Sequence, residues 1–166
     1  MTGLRLDGRA RVFGDDINTD YIITSRRKRE SLDPQVLRQY LFEEVDARFA
    51  ASVEPGDLIV AGKNFGCGSA MEVAVTVVLG AGIRAVLAKS FSRTYYRNAV
   101  NNGLLPVMCN TSRIGELDRL VIDGTSIHNA TTGETVTAGG FPKIMLEILE
   151  AGGLVPYIRK YGDFGL

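Results

Sequence analysis

Short apolar runs alternate along the chain with polar, glycine-bearing loops and with stretches of helical periodicity. The apolar runs at residues 57–61, 84–88 and 105–108 are typical of buried strands. Helical spacing fills the intervals between them, from Ser69 to about Leu79 and from Ser90 to Asn101. This alternation of strand and helix predicts a parallel sheet with right-handed crossovers.

The first third of the chain has a less regular pattern. Residues 10–13 and 21–23 predict two short strands on either side of a polar turn. The charged segment 24–31 has no apolar periodicity, so we expect an exposed and mobile loop there. Asp33 and Pro34 then predict the start of a helix, with Asp33 as its N-cap and Pro34 in the first helical position.

The last third changes from helices to turns. Residues 120–122, the turn at 123–124 and the stretch 131–135 predict short β-hairpins. A final helix is expected over about 142–150, with Gly152 as its stop. The pattern as a whole predicts an α/β fold in a single domain over residues 1–166. We expect a largely parallel sheet, flanked by helices, with a small β-hairpin excursion.

Composition narrows the classes of function. The chain has 166 residues, 45% of them hydrophobic, and equal numbers of acidic and basic side chains. A nucleic-acid partner is not expected, because such proteins usually carry a basic excess or stripe. No apolar stretch reaches the roughly 20 residues of a spanning helix, and the N-terminus has no secretion signal. We therefore expect a cytoplasmic protein without a membrane partner.

The cysteine content bears on cofactors. The chain has two cysteines, Cys67 and Cys109, and one histidine, and they form no paired-cysteine metal motif. A complete iron–sulfur site usually takes four cysteine ligands. The chain is therefore expected to hold neither a metal ion nor a cluster of its own.

The loop at 62–68 and the residues after it carry the strongest chemical signal. The glycines of this loop follow a predicted strand, where open α/β sheets place their ligands. Ser69 and Glu72 have the spacing of a capping box at a helix start, which would also form an anion site. The alternative is that the box only caps a helix.

Three segments together resemble a known family. They are Gly62-Lys-Asn-Phe-Gly-Cys-Gly-Ser69, Gly14-Asp-Asp-Ile-Asn-Thr-Asp20 and the block at 88–104. In this order and spacing they are similar to motifs of the small subunits of isopropylmalate dehydratase and homoaconitase, which belong to the aconitase superfamily. The resemblance covers about residues 8 to 160, and it implies the swivelling β/β/α domain of that superfamily.

The resemblance implies a hydro-lyase that dehydrates and rehydrates a hydroxy-dicarboxylic acid. In this family a large subunit carries a [4Fe–4S] cluster, and the two subunits form a heterodimer or heterotetramer. The small subunit supplies a serine, here Ser69, whose oxygen takes the proton next to a substrate carboxylate. The chain is thus expected to be active only with its large subunit, most simply as a 3-isopropylmalate dehydratase of leucine biosynthesis.

Further site residues follow from the same resemblance and from the basic loop. The expected substrate-binding residues are Thr19, Asp20, Arg26, Arg27, Lys28, Asn64, Gly68, Ala70 and Met71. Residues expected to support the site are Gly62, Gly66, Glu72, Arg97 and Asn98.

The chain departs from the family directly after Ser69. The usual continuation is Ser-Arg-Glu-His-Ala, whereas residues 70–74 here are Ala-Met-Glu-Val-Ala. The family arginine that holds a substrate carboxylate is absent at Met71, and Val73 replaces a histidine. Either the substrate is bound differently, with an apolar group near Met71, or one of the basic residues 26–29 supplies the missing charge.

The basic loop at residues 24–31 does not determine which acid is the substrate. Its polarity favours a more anionic acid over a branched aliphatic one, so the alternatives are a homoaconitase or a dimethylmalate-type dehydratase subunit. A third alternative is a catalytically degenerate relative that only binds anions or scaffolds a partner.

Overall fold

A computed structural model describes residues 4–162 and contains one seven-stranded mixed sheet. The strands run in the order β4-β3-β2-β1-β5-β6-β7. Their bounds are Arg5–Val12 (β1), Leu58–Ala61 (β2), Ala85–Ala88 (β3), Leu105–Met108 (β4), Arg119–Asp123 (β5), Ser126–Asn129 (β6) and Thr135–Thr137 (β7). Neighbours from β1 to β4 are parallel, whereas β1, β5, β6 and β7 pair antiparallel.

Eight short α-helices accompany the sheet in the described part of the chain. They are Thr19–Ile22 (α1), Ser25–Glu30 (α2), Pro34–Leu37 (α3), Phe49–Ser52 (α4), Val73–Gly80 (α5), Arg93–Asn102 (α6), Lys143–Ala151 (α7) and Leu154–Tyr161 (α8). A 3-10 turn, Arg38–Tyr40, follows α3. None of the described helices is long and apolar enough to cross a membrane.

Both faces of the parallel strands are covered. Ile59 and Val86 point into one apolar cluster with side chains of α3 and α5, whereas Leu58 and Leu87 point into a second cluster with α7 and α8. Alternate residues of a strand face opposite sides of a sheet, so burial on both sides requires uninterrupted apolar strands. This explains why β2 and β3 are apolar at every position.

The predicted α/β class and its core strands are confirmed. Strands β2, β3 and β4 lie where the apolar runs predicted them, and Gly103 and Gly152 end α6 and α7 in left-handed conformation. Asp33 caps α3 as expected, because its side chain accepts a hydrogen bond from the amide of Gln35 at 2.9 Å. The hairpin strands continue the same sheet, since β5 pairs with β1.

Three local predictions were wrong. Residues 21–23 do not form a strand; Tyr21 and Ile22 belong to α1, which Asn18 caps through a hydrogen bond to the amide of Asp20. The segment 24–31 is not a loop but contains α2, capped by Thr24. Helix α5 begins at Val73 rather than at Ser69.

Candidate active site

The site is built on the loop that follows β2, and the loop at 14–20 runs beside it. The amide of Asp16 donates to the carbonyl of Lys63 at 2.8 Å, and the amide of Gly66 donates to that of Ile17 at 2.8 Å. A further bond of 2.8 Å joins the amide of Thr19 to the carbonyl of Cys67. Two sequence segments that are far apart along the chain are therefore joined by main-chain hydrogen bonds.

The third segment closes the opposite side of the loop. The amide of Phe65 donates to the carbonyl of Ser90 at 3.0 Å, and the hydroxyl of Ser92 donates to the carbonyl of Gly66 at 2.8 Å. Ser92 is also the N-cap of α6, because its hydroxyl accepts from the amide of Tyr95. All three predicted segments thus meet at residues 62–69.

Two glycines make this convergence possible. Gly66 has φ +79°, and a Cβ at this position would lie 2.2 Å from Cγ of the buried Tyr95 ring. A Cβ on Gly62 would lie 1.8 Å from Oδ1 of Asp15, which accepts a hydrogen bond from the amide of Lys63. Only glycine lets the backbone come this close to both neighbours.

Polar side chains fix the tip of the loop. Asn64, at φ +59°, donates from Nδ2 to Oδ1 of Asp16 at 2.9 Å, and its amide donates to the hydroxyl of Ser90 at 2.8 Å. Asp16 is itself in left-handed conformation. Asn64 therefore braces two loops against each other.

Ser69 lies beyond the braced loop and is exposed together with Gly68 and Ala70. Its carbonyl oxygen accepts a hydrogen bond of 2.9 Å from Oγ1 of Thr19, which is 1% exposed. The main chain of Ser69 is thus fixed while its side chain faces outward.

The predicted capping box is wrong. Glu72 is itself the N-cap residue of α5, in right-handed helical conformation, and no side chain caps this helix start within residues 4–162. The carbonyl of an N-cap residue accepts the first hydrogen bond of the helix, whereas the carbonyl of Ser69 accepts from Thr19, and the helix begins only at Val73. The positive end of α5 consequently does not lie at Ser69.

The side chains of the basic segment 26–29 point in two directions. Arg27 donates from Nε and Nη2 to both carboxylate oxygens of Glu43 at 2.9 and 3.2 Å, and its guanidinium stacks 3.6 Å from the ring centroid of Tyr40. Arg26 is largely exposed and lies 3.9 Å from Glu43. Both arginines therefore face Glu43.

Lys28 takes the other direction. Its Nζ contacts the sulfur of Met71 and lies 3.8 Å from Oδ1 of Asp20. The same carboxylate oxygen accepts a hydrogen bond of 3.0 Å from the hydroxyl of Ser25. Of the four consecutive basic residues, Lys28 is thus the one in contact with Met71.

An open groove of about 820 Å³ lies beside this contact, between α2 and the start of α5. Its walls are largely apolar, with cationic and acidic groups among them. The lining residues are Ser25, Lys28, Arg29, Leu32, Pro34, Met71, Glu72, Val73 and Thr76. A groove of this size is large enough for a small organic acid.

Arg97 and Asn98, predicted as supporting residues, lie on α6 away from these contacts. Arg97 is exposed, and the carbonyl of Asn98 accepts a hydrogen bond of 2.8 Å from Nδ2 of Asn102 in the same helix. Across the described residues, neither side chain is hydrogen bonded to the site loops.

The two cysteines do not form a ligand set. Cys67 lies in the loop after β2, whereas Cys109 is buried after β4. Burial raises the pKa of both thiols, that of Cys109 to about 11, and so disfavours the thiolate that binds metals. No group of three or more potential ligands that could hold a metal ion is found within residues 4–162.

Comparison with known proteins decides the family. Residues 18–112 match the Aconitase C-terminal domain. The isopropylmalate/citramalate isomerase small subunit of Methanocaldococcus jannaschii is 43% identical, over 93% of this chain and 94% of the relative. The chain belongs to the aconitase C-terminal domain family.

Relatives in this family also agree in structure. A crystal structure of 3-isopropylmalate dehydratase from M. jannaschii has a TM-score of 0.92 and 42% identity, covering 96% of each chain. The methanogen homoaconitase small subunit of the same organism is 43% identical over 93% of this chain and 92% of the relative. The predicted resemblance to hydro-lyase small subunits is thereby confirmed.

Some features of this aconitase-type domain were missed by reasoning from the sequence. Glu43 and Tyr40 hold Arg27, but the sequence predicted for Tyr40 only a place on the apolar face of a helix and nothing for Glu43. The contact of Lys28 with Met71 joins residues 43 positions apart. The only signal for it was the coincidence of a basic segment with an absent family arginine.

Proposed function

We propose that this chain is the small subunit of a hydro-lyase that dehydrates and rehydrates a hydroxy-dicarboxylic acid, with 3-isopropylmalate as the leading substrate. The single observation that carries the proposal is the convergence of the three loops on the outward-facing Ser69. We propose in addition that residues 1–166 act as one swivelling domain, which the continuous sheet shared by both halves supports.

Ser69 is proposed as the base that removes the proton next to a substrate carboxylate. A serine hydroxyl is a very weak acid, so its alkoxide needs positive potential in a site that excludes water. The start of α5 does not supply that potential at Ser69, because the helix begins four residues later. We propose that the large subunit supplies most of this potential. Lys28 and Arg29 are the cationic residues of this chain that line the groove.

A large subunit is proposed to complete the site. Cys67 and Cys109 lie on different elements with raised thiol pKa values and do not fit a [4Fe–4S] cluster. The name of the M. jannaschii relative, a small subunit, supports a two-subunit enzyme. We propose that the cluster resides on the partner, while this chain contributes Ser69, the groove and its cation.

The groove supports a substrate with an apolar substituent. Leu32, Pro34 and Val73 lie on its walls, whereas Arg26 and Arg27 are directed to Glu43. This arrangement favours a branched aliphatic acid such as 3-isopropylmalate, contrary to the expectation from the polarity of segment 24–31. Arg29, exposed on the groove, is the observation that keeps a more anionic, homoaconitase-type substrate as the alternative.

The test is anaerobic co-expression with the cognate large subunit, followed by an ultraviolet assay of 3-isopropylmalate, homocitrate, 2,3-dimethylmalate and citrate. Turnover of one of these acids by the complex, and by neither subunit alone, is the expected result. A stable complex that turns over none of them would argue for the degenerate, anion-binding alternative. Failure of the two chains to associate would contradict the proposal itself.

A further inference from the structure

The ammonium of Lys28 has an unusual set of neighbours. Its side chain is 15% exposed, and Nζ contacts the thioether sulfur of Met71. The carboxylate oxygen of Asp20 lies at 3.8 Å, beyond hydrogen-bond distance. An ammonium has three donors and a thioether is a weak acceptor, so Lys28 retains capacity to bind an anion.

Its direction is determined by the preceding residue. The guanidinium of Arg27 is held by Glu43 and by the ring of Tyr40, which fixes the rotation of the short helix α2. Successive residues of a helix point about 100° apart, since 3.6 residues make one turn. With Arg27 held on one side, Lys28 is turned toward the groove.

The position of this cation coincides with the departure from the family. Met71 stands where the resemblance places an arginine that holds a substrate carboxylate, and Lys28 reaches that residue from α2. The positive charge that the family has at position 71 is thus supplied in this chain by Lys28 of α2, which contacts that position.

We propose that Lys28 binds the substrate carboxylate in place of the absent family arginine. This inference rests on the proposed function and adds a specificity residue to it. An ammonium binds as a compact point charge, whereas arginine offers a planar fork. The thioether of Met71 is then free to contact an apolar part of the substrate, so the site is suited to a hydroxy-diacid with an alkyl substituent.

The test uses the reconstituted two-subunit enzyme and the acid of the panel that the wild-type complex turns over fastest. Lys28→Met is expected to raise KM by about 10- to 100-fold, the loss typical of a charge-assisted hydrogen bond. The value of kcat should change little, because the contact is made in ground state and transition state alike. Lys143→Met on α7, where the side chain is 91% exposed, is the matched control and should leave KM unchanged.

A second experiment moves the positive charge from residue 28 to residue 71. Met71→Arg in the Lys28→Met background is expected to raise kcat/KM at least about tenfold over that of Lys28→Met. Lys28→Arg alone should keep kcat/KM within about threefold of the wild-type value. If Lys28→Met fails to assemble with the large subunit, Lys28→Gln carries the same expectation. Thermal unfolding of each variant separates misfolding from loss of binding.

The failures of the two proposals are distinguishable. If Lys28→Met and Lys28→Gln retain the wild-type KM while Ser69→Ala lowers kcat at least about 100-fold, the role of Lys28 is refuted and the hydro-lyase function stands. If the wild-type complex turns over no hydroxy-diacid, both proposals fall.

Discussion

The buried hydroxyl of Thr19 donates a hydrogen bond of 2.9 Å to the carbonyl oxygen of Ser69. The two residues are 50 positions apart, and Thr19 is 1% exposed while Ser69 faces outward. A side chain anchored in the core therefore sets the main-chain position of the proposed base.

Removing this bond should affect catalysis more than folding. Thr19→Val keeps the shape of the side chain but leaves the Ser69 carbonyl without its donor, so Ser69 is less well placed. We expect kcat of the reconstituted enzyme to fall about 10- to 100-fold, as small misplacements of a reacting group do. Thr19→Ser retains the hydroxyl, and a comparable loss of kcat in this control would assign the effect to packing instead.

Arg27 should act by positioning Lys28. Arg27→Ala and Glu43→Gln each break the charged pair that, together with the ring of Tyr40, orients α2, and each is expected to raise KM about 3- to 10-fold. The double variant should be no worse than either single one, since both changes break the same contact. A double-mutant cycle on KM measures this coupling, and additive effects would show that the two residues act independently.

The buried Asp57 should make folding sensitive to acid. Its carboxylate accepts bonds of 2.9 Å from Nε and from Nη2 of Arg9, one of 3.3 Å from Arg11 and one of 2.9 Å from the amide of Glu54. Burial by itself raises the pKa of Asp57, but these hydrogen bonds and the nearby arginine charges outweigh it and leave that pKa below its usual value.

The sign of the pH effect follows from this lowered pKa. The stabilisation by Asp57 is complete above the unfolded-state pKa of about 3.9 and is lost as the pH falls through the lower folded-state pKa. Asp57→Asn should therefore flatten the pH dependence of the unfolding free energy below about pH 4, and should cost about 3 kcal/mol at neutral pH.

Chemical denaturation across this pH range is the measurement. Asp123→Asn is the control, because Asp123 pairs with Arg5 at 3.4 Å and both side chains are more than half exposed. An exposed pair contributes at most about 1 kcal/mol. Equal effects of the two substitutions would contradict the role assigned to burial.

Alanine substitutions at Gly66 and Gly133 distinguish the cost of a steric collision from the cost of a left-handed backbone conformation. Their φ angles are +79° and +81°, but a Cβ at Gly66 would collide with the ring of Tyr95, whereas one at Gly133 would meet no atom within 4 Å. Gly133→Ala should cost about 1 to 2 kcal/mol for its left-handed conformation alone. Gly66→Ala should cost at least about 2 kcal/mol more, by thermal or denaturant unfolding, and equal costs would contradict the close approach.

The core of the fold could be predicted because its signals are local. Residues 58–61 and 85–88 are apolar at every position, as strands covered on both faces must be. Helices α6 and α7 end at Gly103 and Gly152, where a left-handed residue is required. No tertiary contact was needed to recognise these elements.

The errors arose where tertiary contacts override local preference. The β-branched Ile22 and Ile23 favour a strand, yet the Asn18 cap and the tie between Thr19 and Cys67 impose the short helix α1. Helix α2 has no buried residue and therefore no apolar periodicity. It is held by the pairing of Arg27 with Glu43, which the sequence does not reveal.

The candidate site was predictable only where its signals are local. Sequence motifs identified the three segments that meet at the loop after β2. The capping box at Ser69 and Glu72 was a false signal, because the pattern also occurs where no helix begins. The choice of Lys28 among four adjacent basic residues depends on the rotation of α2, which only the folded structure provides.

The most direct test of the central claim is kcat of the reconstituted enzyme with Ser69→Ala, compared with Ser126→Ala on the exposed side of β6. If Ser69 is the base, Ser69→Ala should lower kcat by about 100- to 10,000-fold, with subunit association and thermal stability unchanged. Ser126→Ala should behave as wild type. A Ser69→Ala complex that retains more than about a tenth of the wild-type kcat would contradict the role of this serine and the mechanism built on it.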